Sequence, residues 1–356
     1  MSKFCVFCGQ KPTQKTNEHI IPRWLIELTG DPNRQATFGP YWNEKSKKID
    51  FAIFSFDQFQ FPACDECNSK YSILENKAKV VIQSLLSNAP LSSNDMHTLL
   101  SWLDKVRIGL WLGSYYLHRK VSLIEPHMFI ESRTDQTDRL VFIYKSNSQG
   151  KRVNFPGVIS PTFQFLPCCF TLIINNIALF NMATDFLLSR RLGLPYPSEV
   201  EWSEWPYLKF DMTKGRERVM LPLLRKSFSP KCTQIYQPMF KREEVRQSVK
   251  ELYDTEYAKS IALDHSNGIG KVFTIQGSSL VEYPIKPSLS WIPIDTWQKD
   301  ELEKTIVAQT MDFQFHLLDA GPGYKGLEPK RQSIVKRQHQ LARDFNKAVA
   351  KAYRHK

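Results

Sequence analysis

Residues 64–71 read CDECNSKY, a pair of cysteines separated by two residues and followed directly by an asparagine. A second pair of the same form, CVFC, lies at residues 5–8. Each pair places two thiolates on one short turn, and Zn²⁺ prefers four such ligands in a tetrahedron at about 2.3 Å. The sequence therefore predicts that the two turns come together around one structural Zn²⁺ ion. The four predicted ligands are Cys5, Cys8, Cys64 and Cys67.

The composition is that of a globular protein, with 42% hydrophobic and 24% charged residues in a chain of 356, a length that suits two or three domains. The N-terminal sequence lacks the apolar run of a signal peptide, and no stretch reaches the ~20 apolar residues that a membrane span requires. We therefore expect a cytoplasmic protein without a membrane partner, in which cysteine pairs bind metal rather than form disulfides. The other cysteines, predicted to be buried thiols, are Cys168, Cys169 and Cys232.

The net charge of +12 predicts an anionic partner, with nucleic acid first. From Lys330 to the C-terminus nine Lys and Arg residues stand against one acid, so this segment carries +8 of the total. It reads as a long basic helix, and three interpretations stay open: contact with a nucleic-acid backbone, a solvated helix docked by its apolar stripe, or a surface for a protein partner. The residues of that stripe are Ile334, Gln338, Leu341, Phe345, Val349 and Ala352.

Polar residues that can bind a metal ion or take part in catalysis lie between and after the cysteine pairs. Glu18 and His19 are adjacent, and on a strand their side chains would point to opposite faces, so that one can ligate a metal while the other faces a phosphate. Taken alone, the two residues favour a plain surface pair at a strand end. Asn68 begins a predicted helix with apolar residues at helical spacing, and taken alone it would be the N-cap of that helix.

Together, the segments CVFCG, EHIIPRWL and CDECNSKYSILE resemble the HNH, or ββα-metal, nuclease family. They are most similar to its endonuclease VII-like branch, which has a four-cysteine zinc site and a terminal asparagine, and to bacterial HNH proteins of the form CxFCG, EHxxPxWL, CxxCN. The resemblance covers about residues 1–85, and Trp102 and Lys105 resemble a Trp-x-x-Lys helix that follows the motif in that group. The chain departs from the family in carrying Glu18 where aspartate is commoner. The family's middle asparagine has no clear match, and Asn43 corresponds to it by rough position only.

The resemblance implies a metal-dependent endonuclease. His19 would be the general base, because a near-neutral pKa suits the removal of a proton from water at neutral pH. Glu18 and Asn68 would hold one hard divalent cation, Mg²⁺ or Mn²⁺, which stabilises charge on the phosphate and on the leaving oxygen. The Zn²⁺ ion would be structural. Glu75, seven residues after Asn68, is interpreted as an ordinary helix carboxylate rather than a further ligand.

We expect an α+β fold, in which a zinc-stapled ββα-metal (HNH) module at residues 1–90 precedes mixed α+β domains. Residues 91–195 predict a long helix and a small sheet, and residues 196–356 predict an α+β domain that ends in the basic helix. The predicted elements after the module are a helix to about Leu117, strand segments at Arg139–Ser146 and Phe170–Phe180, a hairpin around His265, and a helix from Ile294 to Leu318.

The predicted function is hydrolysis of DNA phosphodiester bonds, with RNA as an alternative substrate. An unregulated nuclease would endanger its host, so we expect the region after the module or an activating partner to control cleavage, and an oligomer stays an open alternative. An antiviral defence effector that is activated by a sensor protein, such as a short Argonaute, would fit this expectation. Two alternatives stay open: a zinc-stapled nucleic-acid-binding protein without cleavage, and a structural or regulatory subunit of a larger complex.

Overall fold

The fold is mixed α+β, as predicted. The computed structural model describes residues 4–12, 14–43, 46, 48–117, 126–185, 199–204, 207–211, 232–237, 272–276, 279–282, 296–320, 323–324 and 326–355. The predicted turn around His265 lies outside these residues. None of the helices in the described ranges combines the length and the apolar character that a bilayer crossing demands.

The N-terminal region forms a β-β-α unit. Strand β1 (Lys15–His19) pairs antiparallel with β4 (Gln60–Cys64), and helix α2 (Asp65–Ser87) follows β4 directly. The elements between the two strands are helix α1 (Arg23–Leu28), the hairpin strands β2 (Gln35–Asn43) and β3 (Lys48–Ser55), and a 3-10 turn (Phe56–Gln58). Strand, strand and helix therefore follow one another in space, although a hairpin is inserted between the two strands.

Helix α3 (Ser93–Leu117) packs beside α2 and against the β-β-α unit. Residues 102–115 of α3 are all buried, Trp102, Val106, Leu110 and Trp111 among them, so this part of the helix is enclosed on every side. Glycines of α3 let this helix pack close to the β-β-α unit. A Cβ atom on Gly109 would lie 2.7 Å from the Ile20 side chain, which is nearer than packed carbon atoms approach. This close approach brings the side chains of α3 into the seam between β1 and α2.

A large sheet occupies the middle of the chain. Its strand order is β13-β12-β11-β5-β8-β7-β6, with antiparallel neighbours, and β14 pairs parallel with the end of β5. The bounds are β5 (Asp138–Ser146), β6 (Val153–Asn154), β7 (Cys169–Ile174), β8 (Ile177–Thr184), β11 (Thr233–Gln237), β12 (Phe273–Gln276), β13 (Ser279–Glu282) and β14 (Thr296–Trp297). A separate hairpin consists of β9 (Glu199–Glu204) and β10 (Tyr207–Asp211). The sheet thus contains strands from both sides of residue 195, where the sequence predicts a domain boundary.

The predicted strand segment Phe170–Phe180 consists of two strands. Asn175 has a φ of 53°, and Ile174 pairs with Ile177 across the turn. An asparagine pair tolerates the left-handed backbone of such a tight hairpin better than apolar residues do. Both strands are buried throughout, so their apolar residues form one nearly continuous run, and the turn between them cannot be located from the hydrophobic pattern.

Alternate residues of β5 enter two different cores. Val141 and Ile143 belong to the core that contains α3 and the β-β-α unit, whereas Phe142 and Tyr144 belong to a second core. The second core is covered by α6 (Lys299–Ala320). The helices that complete the described chain are α4 (Ile130–Arg133), α5 (Pro161–Phe165) and α7 (Pro329–Arg354), of which α7 packs on α5 and α6. The sheet is therefore the middle of three layers.

The basic C-terminal helix is present, but the predicted apolar stripe is wrong at three of its positions, because Ile334, Leu341 and Ala352 are exposed. Ile334 and Leu341 are 51% and 56% exposed. The helix is rotated about its axis relative to the predicted orientation because a polar residue takes part in the contact. Asn346 is buried and donates from Nδ2 to the Met311 carbonyl at 3.0 Å. A buried amide must be hydrogen-bonded, so it fixes which face of α7 meets α6. The buried residues of α7 are Val335, Ala342, Asn346 and Ala350.

Candidate metal centre and active site

The four predicted thiol ligands meet at one point. Their Sγ atoms all lie within 4.8 Å of one another, and this is the only cluster of three or more such metal-binding side chains among the residues described. Cys64 ends β4 and Cys67 lies in the first turn of α2, whereas the other two come from the N-terminal turn. Sγ atoms of Cys8 and Cys64 are 3.9 Å apart across 56 positions of sequence. The group could therefore hold a metal ion, as predicted.

Local backbone geometry builds the N-terminal turn. The Gly9 amide donates to the Cys5 carbonyl at 2.9 Å, and Gly9 has a φ of 77°. A Cβ atom there would lie 2.6 Å from the Phe129 ring, so both the conformation and the space require glycine. Burial raises the pKa of the Cys67 thiol, and the charge of Cys5 raises it further. Adjacent thiolates repel one another, and a bound cation would relieve that repulsion.

Glu18 and His19 point to opposite faces of β1, as the alternation of a strand requires. The Glu18 side chain is 8% exposed and faces the seam with α2 and α3, whereas the His19 side chain is 21% exposed. The resemblance implies that Glu18 and His19 act on the same phosphate. In the structure their side chains lie on opposite faces of β1 and contact different elements.

The Glu18 carboxylate belongs to a buried charge triad with Lys105 and Glu75. Lys105 Nζ donates to Oε1 of both glutamates, and its side chain is fully buried. Burial lowers the pKa of Lys105, but the two carboxylates outweigh burial and raise it overall. The lysine is therefore an ammonium ion. The Glu75 side chain is only 17% exposed, so the prediction of an ordinary helix carboxylate misses its ion pair.

His19 is held by the turn that leads into β4. Its Nε2 lies 3.1 Å from the Asp57 carbonyl oxygen and 2.9 Å from Gln60 Nε2. The carbonyl oxygen can only accept a proton from Nε2, whereas the Gln60 amide nitrogen can only donate one to it, so the two contacts hold the ring at Nε2 without fixing its tautomer. The other ring nitrogen, Nδ1, has no hydrogen-bond partner among the described residues. Asp57 Oδ1 also lies 3.5 Å from Nε2.

Asn68 lies on the same seam as Glu18. Its Nδ2 donates to Thr16 Oγ1 at 3.3 Å, and Thr16 shares a strand face with Glu18 because it is two residues away. The N-cap of α2 is Cys64, so the interpretation of Asn68 as a cap is wrong. Its Oδ1 has no partner within the described ranges and is free to act as a ligand.

Sequence reasoning missed the residues that orient the two candidate groups. Asp57 and Gln60 support His19, yet neither carries a motif, and only the pairing of β1 with β4 brings them close. Lys105 is part of the Trp-x-x-Lys resemblance, but its contact with Glu18 spans 87 positions. Asn43, the rough match for the family's middle asparagine, lies at the end of β2; the groups that contact the His19 ring are Asp57 and Gln60.

Comparison of the chain with family models, curated proteins and solved structures finds no match.

Proposed function

We propose that the β-β-α unit is the catalytic module of an HNH-type, metal-dependent endonuclease that hydrolyses DNA phosphodiester bonds. The observation that carries this proposal is the His19 ring at the end of β1, which is held through Nε2 and has no partner for Nδ1 among the described residues. The position of the ring supports a general base, because a base must be oriented at one nitrogen and open at the other. The strand, strand and helix order around it supports the HNH assignment.

The four-cysteine cluster is proposed to hold a structural Zn²⁺ ion. Four thiolates close the tetrahedron and leave no position for substrate, so the ion has no part in the chemistry. Its role is to hold the N-terminal turn against the junction of β4 and α2, and this junction places Asn68 in the first turns of the helix.

The donor types at the seam fit a hard catalytic cation. Glu18 offers a carboxylate and Asn68 an amide oxygen, and Mg²⁺ or Mn²⁺ is commonly held by one or two such protein ligands while it keeps several waters. When bound, the cation would stabilise negative charge on the phosphate and the leaving oxygen. In the structure the Glu18 carboxylate is paired with Lys105, which competes with a bound cation for the same oxygen atoms.

The chain's own residues would act on the attacking water. In the tautomer with the proton on Nε2, the Nδ1 lone pair of His19 accepts the proton of the water, while Nε2–H stays bonded to the Asp57 carbonyl and keeps the ring in place. The Asp57 carboxylate, 3.5 Å from Nε2, stabilises the imidazolium that forms.

Replacing His19 by alanine is expected to reduce DNA cleavage by about 100-fold or more, the usual contribution of a general base. The measurement is plasmid and single-stranded DNA cleavage with Mg²⁺ or Mn²⁺, with and without EDTA. His355→Ala, which removes an exposed histidine at the end of α7, is the matched control and should cleave like the wild type. A folded His19→Ala protein that keeps more than half of the activity would refute the assignment of the base.

A nucleic-acid-binding protein without cleavage is the second candidate. The observation that favours it is the Lys105 ammonium on Glu18, since an occupied carboxylate is a poor metal ligand. Tight DNA binding by a wild-type protein that never cuts with either metal would support this alternative. The predicted activating partner, oligomer and role in antiviral defence stay predictions.

The outer face of α7 is proposed to contact the phosphate backbone. Arg343 and Arg354 are paired with acids on α6, whereas Lys330, Arg337 and Lys351 are exposed and have no ion pair within the described part of the chain. These three residues are called the α7 basic face. Exposed cations without partners can replace the counterions of nucleic acid, which makes binding depend on salt.

Replacing the three residues of the α7 basic face by alanine is expected to weaken DNA binding and to lower the salt dependence of log Kd by about 2–3. Fluorescence anisotropy with labelled duplex and single-stranded DNA and RNA over a range of salt concentrations measures both effects. The double variant Arg343→Ala/Arg354→Ala serves as the control, because its cations are already paired. An unchanged salt slope in the triple variant would exclude this face from the interface.

A further inference from the structure

The Lys105 ammonium is surrounded by oxygen atoms. Nζ contacts Oε1 of Glu18 and Oε1 of Glu75, and the His19 carbonyl oxygen lies 3.5 Å away. The lysine side chain is completely buried. Anionic and carbonyl oxygens around one buried positive charge are the surroundings in which a hard metal ion is normally found.

The backbone around Lys105 holds this position firmly. Trp102, one turn earlier on α3, is buried, and Gly109, one turn later, packs directly on Ile20 of the β-β-α unit. The long side chain of Lys105 therefore enters the seam from a helix that is fixed on both sides. Its ammonium contacts Glu75 as well as Glu18, so the two carboxylates share one positive charge.

We propose that the Lys105 ammonium is an internal competitor for the divalent cation, and that the cation binds Glu18 only when this ammonium withdraws toward Glu75. The proposal rests on the proposed endonuclease function and assigns a regulatory role within its metal site. Two positive charges on one buried carboxylate repel strongly. A DNA phosphate adds negative charge at the site and favours the exchange, so that the metal site fills together with substrate.

Lys105→Met tests the competition directly, because methionine keeps much of the side-chain volume and removes the charge. The zinc-loaded, DNA-free protein is titrated with Mn²⁺, and free Mn²⁺ is followed by electron paramagnetic resonance. We expect the variant to bind Mn²⁺ about tenfold more tightly than the wild type, or more, because a buried like charge is removed. Adding Glu18→Gln to Lys105→Met should remove the gain and so assign it to this carboxylate.

Two controls address charge and folding. Lys70→Met removes a lysine whose ion pair with Glu131 lies at the surface, and it should bind Mn²⁺ like the wild type. Lys105→Met leaves two buried carboxylates without a counterion and its stability is at risk. The variant Lys105→Met/Glu75→Gln keeps the net charge of the triad unchanged and should also bind Mn²⁺ several-fold more tightly. Circular dichroism and zinc content establish that each variant is folded.

The proposal is wrong if folded Lys105→Met and Lys105→Met/Glu75→Gln bind Mn²⁺ no more tightly than the wild type. This result leaves the proposed endonuclease intact, because cleavage and its loss in His19→Ala are measured separately and with DNA present. A wild type that binds DNA tightly but never cuts it would favour the binding-only candidate, whereas the Mn²⁺ affinities would still decide the competition at Glu18.

Discussion

Replacing Cys64 by serine is expected to release the bound metal ion and unfold the β-β-α unit. Cys64 is both the last residue of β4 and the N-cap of α2, so its thiol holds the point where strand becomes helix. Structural Zn²⁺ contributes about 10–16 kcal/mol to the folding of small zinc modules. The unit shares one core with α3 and the sheet, and its N-terminal turn enters that core through Phe7, which stacks on Tyr71 at 4.5 Å. Loss of the ion should therefore cost most of its stability.

The measurements are zinc content by mass spectrometry, the melting temperature and sensitivity to limited proteolysis. A strong chelator added to the wild type should reproduce the effect of Cys64→Ser. Cys232→Ala removes a buried thiol next to the sheet and should keep a full equivalent of zinc. A Cys64→Ser protein with full zinc and an unchanged melting temperature would show that the cluster is not the metal site.

Replacing Asp104 by alanine is expected to destabilise the protein by about 3–5 kcal/mol, the usual cost of removing one partner from a buried charge cluster. Asp104 Oδ1 accepts from Arg107 at 2.7 Å, and Oδ2 accepts from Arg139 at 3.1 Å and from the Asp135 amide at 3.2 Å. Both arginines are 2% exposed. Without the carboxylate, their charges stay buried, and Arg107 loses its ion pair.

Denaturant unfolding of the variants gives the free energies for this comparison. Asp319→Ala breaks the ion pair with Arg343 at the surface and should change stability by less than about 1 kcal/mol. Asp104→Asn keeps the shape of the side chain, and its free energy of unfolding should lie between those of Asp104→Ala and Asp319→Ala. If Asp104→Ala were as stable as Asp319→Ala, the buried network would not hold α3 to the sheet.

Local signals in the sequence predict much of the N-terminal region. The spacing of Cys5, Cys8, Cys64 and Cys67 predicts their meeting because thiol pairs on tight turns bind metal whatever lies between them. The periodicity of apolar residues predicts α2, which buries one face, and the same spacing predicts α3, although residues 102–115 are buried on every side. These features depend on a few neighbouring residues, so they can be found without the fold.

The arrangement around the candidate site depends on contacts between distant segments, and the sequence does not reveal it. Nothing near Glu18 indicates that Lys105 will reach it, because β1, α2 and α3 must first pack together. Likewise, His19 is oriented by the backbone carbonyl of Asp57, and any residue type could supply that carbonyl. The orientation of α7 depends on Asn346, whose buried partners lie on other helices.

Adjacent positions on α3 serve two different layers of the molecule. Asp104 is tied to Arg139 of the sheet, and Lys105 is tied to Glu18 of the β-β-α unit. Side chains of neighbouring helical residues point about 100° apart. Turning α3 about its axis to free one of these residues would therefore break the contacts of the other. The helix cannot serve as a rotating switch, and any change at Glu18 has to take place in side chains while the backbone of α3 stays still.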